Sequence, residues 1–306
     1  MSNVGRHSPF RPTGPVVITG ARGQLGSHLA TLLGNAALPV DVDTLDLTDR
    51  TAVLAKLNDW RPVAIINCAA YTAVDAAEAP ENRAICHAVN HHAVETLATA
   101  ANSLDAQLVQ ISTDYVFCNS PRLERAFRED DPIAPAGVYA LSKAAGEQAA
   151  LKCSRSVVVR TCGLYGSPAT PDAKNFVNAM LGLSKTRNEL RVVDDQICCP
   201  TWVVELSDAI LHLLAVDAQG IYHVTNREGL AWKETAETIF AVAGVNCQVN
   251  SISTAEYGAA APRPAYSELD TSKYHALAGP PMSTCRDAVG KWLSMSGNTA
   301  AARDPE

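Results

Sequence analysis

Apolar positions in the first half of the chain alternate between two rhythms. Residues 15–19 (PVVIT) form an unbroken apolar run that predicts a buried strand. Residues 24–33 follow at helical spacing, with Leu25, Leu29, Leu32 and Leu33 on one face. Residues 38–42 predict a weaker second strand, which tolerates Pro39 because it stands near the strand's start. Asp49 is placed to cap a helix running to Trp60, and residues 63–66 predict a third strand entering Asn67-Cys-Ala-Ala. A single long helix is expected over 81–102 and a fourth strand over 107–111, ending in Ser112-Thr113-Asp114. Another helix is expected from about Val138, and 156–160 (SVVVR) as the next strand. This strand–helix alternation predicts an α/β protein with a doubly wound parallel sheet.

From about Gly166 the rhythm changes to prolines and shorter elements, which predicts a smaller C-terminal α/β lobe. The expected organisation is a flexible tail over 1–14, a nucleotide-binding domain over 15–165, a mainly substrate-binding lobe over 166–295 with return segments to the first domain, and a frayed tail over 296–306. At 306 residues the chain buries a sizeable core without a metal or disulfide staple. Thirty-two acidic against twenty-five basic residues leave a net charge of -7, which argues against nucleic acid as a partner. No acid precedes Asp41, however, whereas Arg6, Arg11 and Arg22 all fall in that stretch. The polar opening lacks the apolar centre of a secretory signal, and no apolar run reaches the ~20 residues of a membrane span. Nine scattered cysteines with no C-x-x-C pair suggest a reduced, cytoplasmic protein. Adjacent Cys198 and Cys199 read either as packed thiols or as a redox pair.

Three short segments carry chemistry. Gly20-Ala-Arg-Gly23-Gln24-Leu25-Gly26 lies between a strand and a helix, where glycines allow a tight turn and close approach of a pyrophosphate to the helix N-terminus. Its spacing is G-x-x-G-x-x-G, and a plain turn is the alternative. Asp46, twenty positions on, is placed either to meet the adenosine half of a dinucleotide or, like Asp49, to cap a turn. Asp41 and Asp43, with no arginine beside them in the chain, tilt the choice toward NAD over NADP. Tyr139 and Lys143 stand four apart at a helix start and so share a face, where an ammonium favours phenolate and lowers the tyrosine pKa. Such a tyrosine donates a proton to a carbonyl oxygen or takes one from an alcohol. Thr113 and Asp114 end a strand at the sheet edge where ligands bind; the alternative is that they cap a turn.

In this order the segments resemble the extended short-chain dehydrogenase/reductases, and among them the dTDP-4-dehydrorhamnose reductase family. The resemblance runs from about Pro15 to Lys273, on TGARGQLG (19–26), LDLTD (45–49), INCAAYTAVDAAE (66–78), STDYVF (112–117), YALSKAAGE (139–147), RTCGLYG (160–166), NFV (175–177), DQICCPT (195–201) and RPAYSELD (263–270). It implies a Rossmann-type fold and an NADH- or NADPH-dependent reduction of the 4-keto group of a nucleotide-linked 6-deoxy sugar. Tyr139 would be the proton donor, Lys143 would hold the nicotinamide ribose, and Thr113 would tune the carbonyl's surroundings. Gly20, Gly23, Gln24, Leu25 and Gly26 would hold the pyrophosphate. Asp46 and Leu47 would lie at the adenine, with Ala69, Ala70 and Tyr71 toward the ribose and nicotinamide. Thr113, Asp114, Asn175 and Arg263 would meet the sugar nucleotide, with Arg263 on its diphosphate or, alternatively, at the surface. A homodimer and a Mg2+ ion are compatible with the resemblance, but no metal-ligand set is legible, and His91-His92 are expected to face solvent.

Several positions depart from the family pattern. Its tryptophan that packs on the sugar is Gly163 here, preceded by Cys162. Ala140 replaces the glycine after the tyrosine, Cys118-Asn119 replace an Asp-Gly, and Cys198 replaces a glycine. None falls on Thr113, Tyr139 or Lys143, so the reduction is better supported than the sugar. A reductase or epimerase for another nucleotide sugar stays open. So does a non-catalytic nucleotide-binding subunit like the regulatory beta subunit of methionine adenosyltransferase.

Overall fold

The computed structural model describes residues 10–296; of the tails expected over 1–14 and 296–306, residues 1–9 and 297–306 lie outside the described residues. Strand β1 (Val16–Thr19) is fully buried, and the glycine turn after it leads into α1 (Gln24–Leu33). Strand β2 (Ala37–Val40) stops earlier than expected, because Asp41 leaves the ladder to accept hydrogen bonds from the Val42 and Arg22 amides, both at 2.9 Å. Asp49 caps α2 (Arg50–Trp60) by accepting from the Ala52 amide at 3.0 Å, as its position predicts. The chain then returns through β3 (Ala64–Asn67).

Beyond the short α3 (Val74–Ala77), the long helix expected over 81–102 is not uniform. It runs as α4 (Pro80–His87), a π turn over Ala88–His92, and α5 (Ala93–Leu104). The wider turn carries Asn90 into the interior, where it is 1% exposed. Strand β4 (Gln107–Thr113), helix α6 (Gly137–Ala150) and strand β5 (Ser156–Thr161) complete the first half.

The later chain contributes β6 (Leu164–Tyr165), α7 (Phe176–Ser184), β7 (Glu189–Val193), β8 (Ile197–Cys198) and β9 (Thr201–Trp202). It continues with α8 (Val203–Ala215), β10 (Gly220–His223), β11 (Leu230–Ala231), α9 (Trp232–Ala243) and β12 (Gln248–Ile252).

Six strands form one parallel sheet in the order β10-β5-β4-β3-β1-β2, a doubly wound Rossmann-type arrangement. Alternate residues of β1 separate its two faces. Val16 and Ile18 pack with Leu25 and Leu29 of α1 and Leu206, Ile210 and Leu213 of α8, whereas Val17 packs with Val53 and Leu57 of α2 and Leu97 of α5. A third apolar cluster joins Val177, Leu190, Trp202, Ile239, Phe240 and Trp292 away from this sheet. Strand β10, drawn from the later chain, pairs with β5 at the sheet edge. The strand order reverses between β1 and β3, so their carboxyl ends diverge and open a crevice.

Candidate active site

That crevice is a cavity of about 960 Å3 running from the glycine turn to Lys174. The turn admits no side chain at Gly20 or Gly26. Gly20 has φ +63°, and a Cβ on it would lie 2.7 Å from the Ala69 amide nitrogen; a Cβ on Gly26 would lie 2.4 Å from the Gly20 carbonyl oxygen. With Gly23 at the N-cap and no acid in the first turn, α1 presents its amides and positive dipole end to the cavity. The cavity wall includes Gly20, Gly23, Gln24, Leu25 and Gly26 together with Asp46, Leu47, Ala69, Ala70 and Tyr71. Volume, backbone access and helix end fit a dinucleotide. Both readings of Asp46 coexist, since its carboxylate accepts from the Thr48 amide (2.9 Å) and hydroxyl (2.7 Å) while lining the cavity. These two bonds hold its pKa below the ordinary carboxylate value.

A buried chain of side chains ties the strand ends below. Thr19 donates to Asn67 at 2.5 Å, Asn67 to Gln110 at 2.6 Å, and Gln110 to the Ile111 carbonyl at 2.8 Å. The same carbonyl accepts from Lys143 Nζ at 2.6 Å. Lys143 is 3% exposed, and burial pulls its pKa down to about 8, with Glu147 pulling the other way. Tyr139, one turn earlier on α6, lines the cavity with its hydroxyl in hydrogen-bond contact with Thr113 and its ring edge-on to Tyr115 at 5.5 Å.

One expectation is corrected. Burial raises the Tyr139 phenol above its ordinary value; the Thr113 contact only partly offsets this, and Asp114, Cys162 and Cys86 add to the rise. The Lys143 ammonium, turned to the Ile111 carbonyl, is not what governs the phenol. The protonated tyrosine is therefore the resting form, as a proton donor requires.

Asp114 is 2% exposed and accepts from Thr113 (3.2 Å) and from Ser267 (2.6 Å), with the Cys162 thiol also against it. Burial raises its pKa above the usual carboxylate range. Thr113 additionally accepts from the Tyr115 amide at 3.2 Å, so the turn-capping and cavity-facing readings of this pair hold together.

Arg22 overturns the premise that no arginine stands at the end of β2. Its guanidinium pairs with Asp43 and its backbone amide donates to Asp41, so the fold sets a cation beside Asp43 and a neutral donor on Asp41. Asn175 and Arg263 do not join the wall. Asn175 caps α7 and donates to Gln24 at 3.0 Å, tying the later chain to the glycine turn. Arg263 is held by Asp75 at 2.7 and 3.0 Å and lies over Tyr257, so its guanidinium is committed to an ion pair. Lys174 is the later-chain cation that does line the cavity.

Asn90 and Ser267 were not legible as site residues. Asn90 accepts from the Tyr71 amide at 2.8 Å and donates to the Tyr71 carbonyl and to Ser142, which in turn donates to the Tyr139 carbonyl. It thereby clamps the end of β3 to the helix that carries Tyr139. Gly146 is the local signal, because a Cβ there would lie 2.2 Å from the Asn90 carbonyl oxygen. All nine cysteines are free thiols; Cys198 and Cys199 are buried, and burial raises the Cys199 thiol. His91, His92 and Glu95 bring donor atoms within 4.8 Å of one another outside the cavity, where the two imidazoles pair with the carboxylate. Among the described residues no helix is long and apolar enough to cross a membrane.

The family model described as the RmlD substrate binding domain matches residues 14–297 of this chain. The chain belongs to that family. Among RmlD-family relatives, the dTDP-4-dehydrorhamnose reductase of Streptomyces griseus is 38% identical over 293 residues, spanning 92% of this chain and 93% of the relative. The one from Mycobacterium tuberculosis (strain ATCC 25618 / H37Rv) is 38% identical over 295 residues and 94% of each chain. Among solved structures, that of the Bacillus anthracis dTDP-4-dehydrorhamnose reductase in complex with NADP superimposes with a TM-score of 0.86 at 36% identity, covering 92% of this chain and 99% of that one.

Proposed function

We propose that this protein is an NAD(P)H-dependent reductase of the 4-keto group of a nucleotide-linked 6-deoxy sugar, with dTDP-4-dehydro-L-rhamnose reduced to dTDP-L-rhamnose. The observation that carries the reading is the contact of the Tyr139 hydroxyl with Thr113, one helical turn from buried Lys143, at the end of a cavity that begins on the glycine turn. A non-catalytic binding subunit has no need of this grouping.

When bound, the reduced nicotinamide supplies a hydride to the keto carbon. Gly20, Gly23, Gln24, Leu25 and Gly26 hold its pyrophosphate on the amides of α1, while Asp46 and Leu47 border the adenosine end and Ala69, Ala70 and Tyr71 the other. Tyr139 Oη gives its proton to the oxygen of the carbonyl as negative charge develops there, and Thr113 hydrogen-bonds at the same place. The Lys143 ammonium, held by the Ile111 carbonyl, orients the ribose hydroxyls. Asp114, kept toward its neutral form by burial, meets the sugar hydroxyls. In this division residues 15–165 chiefly hold the cofactor, and the later chain, with Lys174 in place of Arg263, closes on the substrate. Either NADH or NADPH serves as donor: Asp41 and Asp43 disfavour a 2'-phosphate, and Arg22 counters them. The chemistry is that of a cytoplasmic enzyme.

The test is turnover of enzymatically prepared dTDP-4-keto-6-deoxy sugar with NADH and NADPH, followed by nicotinamide absorbance, with the product identified by NMR. Inversion at a carbon without net cofactor oxidation would establish an epimerase instead. Tight cofactor binding with no turnover of any such sugar would sink both.

A further inference from the structure

The π turn over Ala88–His92 gathers three side chains that the reductase reading does not use. His91 and His92 close the turn, and Glu95 stands in the first turn of α5. Successive residues of this wider turn are rotated less about the axis than in an α-helix, so the two neighbouring imidazoles stay on one side, with ring centroids 4.5 Å apart. His91 Nε2 lies 3.6 Å from Glu95 Oε1, and His92 Nδ1 lies 3.4 Å from Glu95 Oε2. Donor atoms of all three fall within 4.8 Å of one another, the one such group of three among the described residues. His91 and Glu95 are half-buried and His92 is exposed, so the group opens to solvent on one side.

The distances decide what this group can do. A charge-assisted N–H···O bond is about 2.7–2.9 Å long, so neither imidazole is drawn up to the carboxylate as a strong donor would be. Ligand atoms about 2.0–2.2 Å from a tetrahedral zinc ion stand about 3.3–3.6 Å apart, the spacing found between each imidazole and the carboxylate. Two imidazoles and one carboxylate also favour a zinc-like ion over magnesium, which takes oxygen ligands. Lys152 opposes a cation here, with Nζ 3.4 Å from Glu95 Oε1, but its side chain is 70% exposed and can turn into water.

We propose that His91, His92 and Glu95 bind one divalent transition-metal ion of the zinc class, with water completing its coordination. The ion staples the π turn to α5. Asn90, which precedes His91 and bonds both Tyr71 and Ser142, is steadied by the same staple. This site lies outside the cavity and does not depend on the reductase reading.

Calorimetric titration of the chelator-treated, dialysed protein with zinc chloride tests this, with cobalt as the spectroscopic probe. One zinc ion binds per chain, and magnesium at the same concentration does not compete. Because the chain also carries nine free thiols, cobalt must give visible d–d bands with no sulfur-to-metal charge-transfer band. His91→Ala, His92→Ala and Glu95→Gln each weaken zinc binding by at least about tenfold, the least that losing even an outer partner costs a metal site. His92→Ala, at the exposed position, serves where His91→Ala does not fold. Lys152→Ala tightens binding by removing the competing cation. Zinc slows amide exchange over residues 88–95 in the unaltered protein and not in His92→Ala. No zinc binding, binding that survives all three ligand substitutions, a sulfur charge-transfer band, or equal binding of magnesium overturns the site.

Discussion

Beneath Lys143 lies an ion pair whose removal the structure makes unusually costly. Glu147 and Arg160 have side chains 0% and 3% exposed. Glu147 accepts from Arg160 Nε at 2.9 Å and Nη2 at 2.8 Å, and from the Ser112 hydroxyl at 2.5 Å. His223 borders the Arg160 guanidinium as well. Its Nδ1 lies 3.0 Å from the Phe127 carbonyl and its Nε2 3.4 Å from Arg160 Nη1, which suits a neutral ring donating through Nδ1 and accepting through Nε2. Burial and Arg160 hold that imidazole down to about 3, so it stays neutral.

Glu147→Leu leaves the guanidinium with only the histidine nitrogen and the face of Phe117, 5.2 Å away. An uncompensated buried charge of this kind costs about 3–5 kcal/mol. The orphaned Ser112 hydroxyl adds about 1 kcal/mol. Arg160→Met strands the carboxylate and costs about as much. The double variant strands neither charge, and its loss falls well short of the sum, with a coupling of about 3 kcal/mol or more. Urea unfolding followed by far-UV circular dichroism and by tryptophan fluorescence measures all four proteins. Additive losses would refute the claim that the pair acts as a unit. A single-variant loss of about 0–1 kcal/mol would refute its burial, because that is what an exposed pair contributes.

Tyr139→Phe removes the proton donor and lowers kcat about 10²–10⁴-fold while the NADPH dissociation constant is unchanged; retained activity would show the donor to be another group. Lys143 has a folded pKa of about 8 against 10.5 for an unperturbed lysine, so between those values the unfolded chain holds the extra proton. Its contribution to stability consequently rises as pH climbs from about 8 toward 10.5, whereas cofactor affinity falls as the ammonium is lost; the stability difference between the protein and Lys143→Met, which cancels the buried thiols and phenols, and the NADPH affinity must move in opposite directions over that range. Arg22→Ala leaves Asp43 without its cation and raises the KM for NADPH more than that for NADH, and equal effects would show that Arg22 does not face the 2'-phosphate. Gly26→Ala drives a Cβ to within 2.4 Å of the Gly20 carbonyl and abolishes dinucleotide binding, as read by fluorescence titration.

The early strands and helices were legible because each element's burial is written in its own periodicity. The apolar run at Val16–Thr19 and the leucines of α1 need no distant partner to declare themselves, and Asp49 caps α2 through a bond three residues long. The positions of Tyr139 and Lys143 on one helical face follow from a spacing of four. The π turn over Ala88–His92 was not legible, since its cause is the fit of Asn90 between Tyr71 and Ser142, 19 and 52 residues away. Ser267 was hidden in the same way, lying 153 residues from the Asp114 it contacts.

What the sequence by itself determined is therefore local: the strand–turn–helix with its glycines, and the helix that sets Tyr139 and Lys143 on one face. What only the tertiary structure decided is how charge and space are shared among segments far apart in the chain. It gave Arg263 to Asp75, set Arg22 beside Asp43, and turned Lys143 onto the Ile111 carbonyl. It buried Tyr139 enough to raise its pKa where the spacing alone argued for a fall. A side chain's partner and its desolvation are properties of the folded surroundings, and spacing along the chain does not record them.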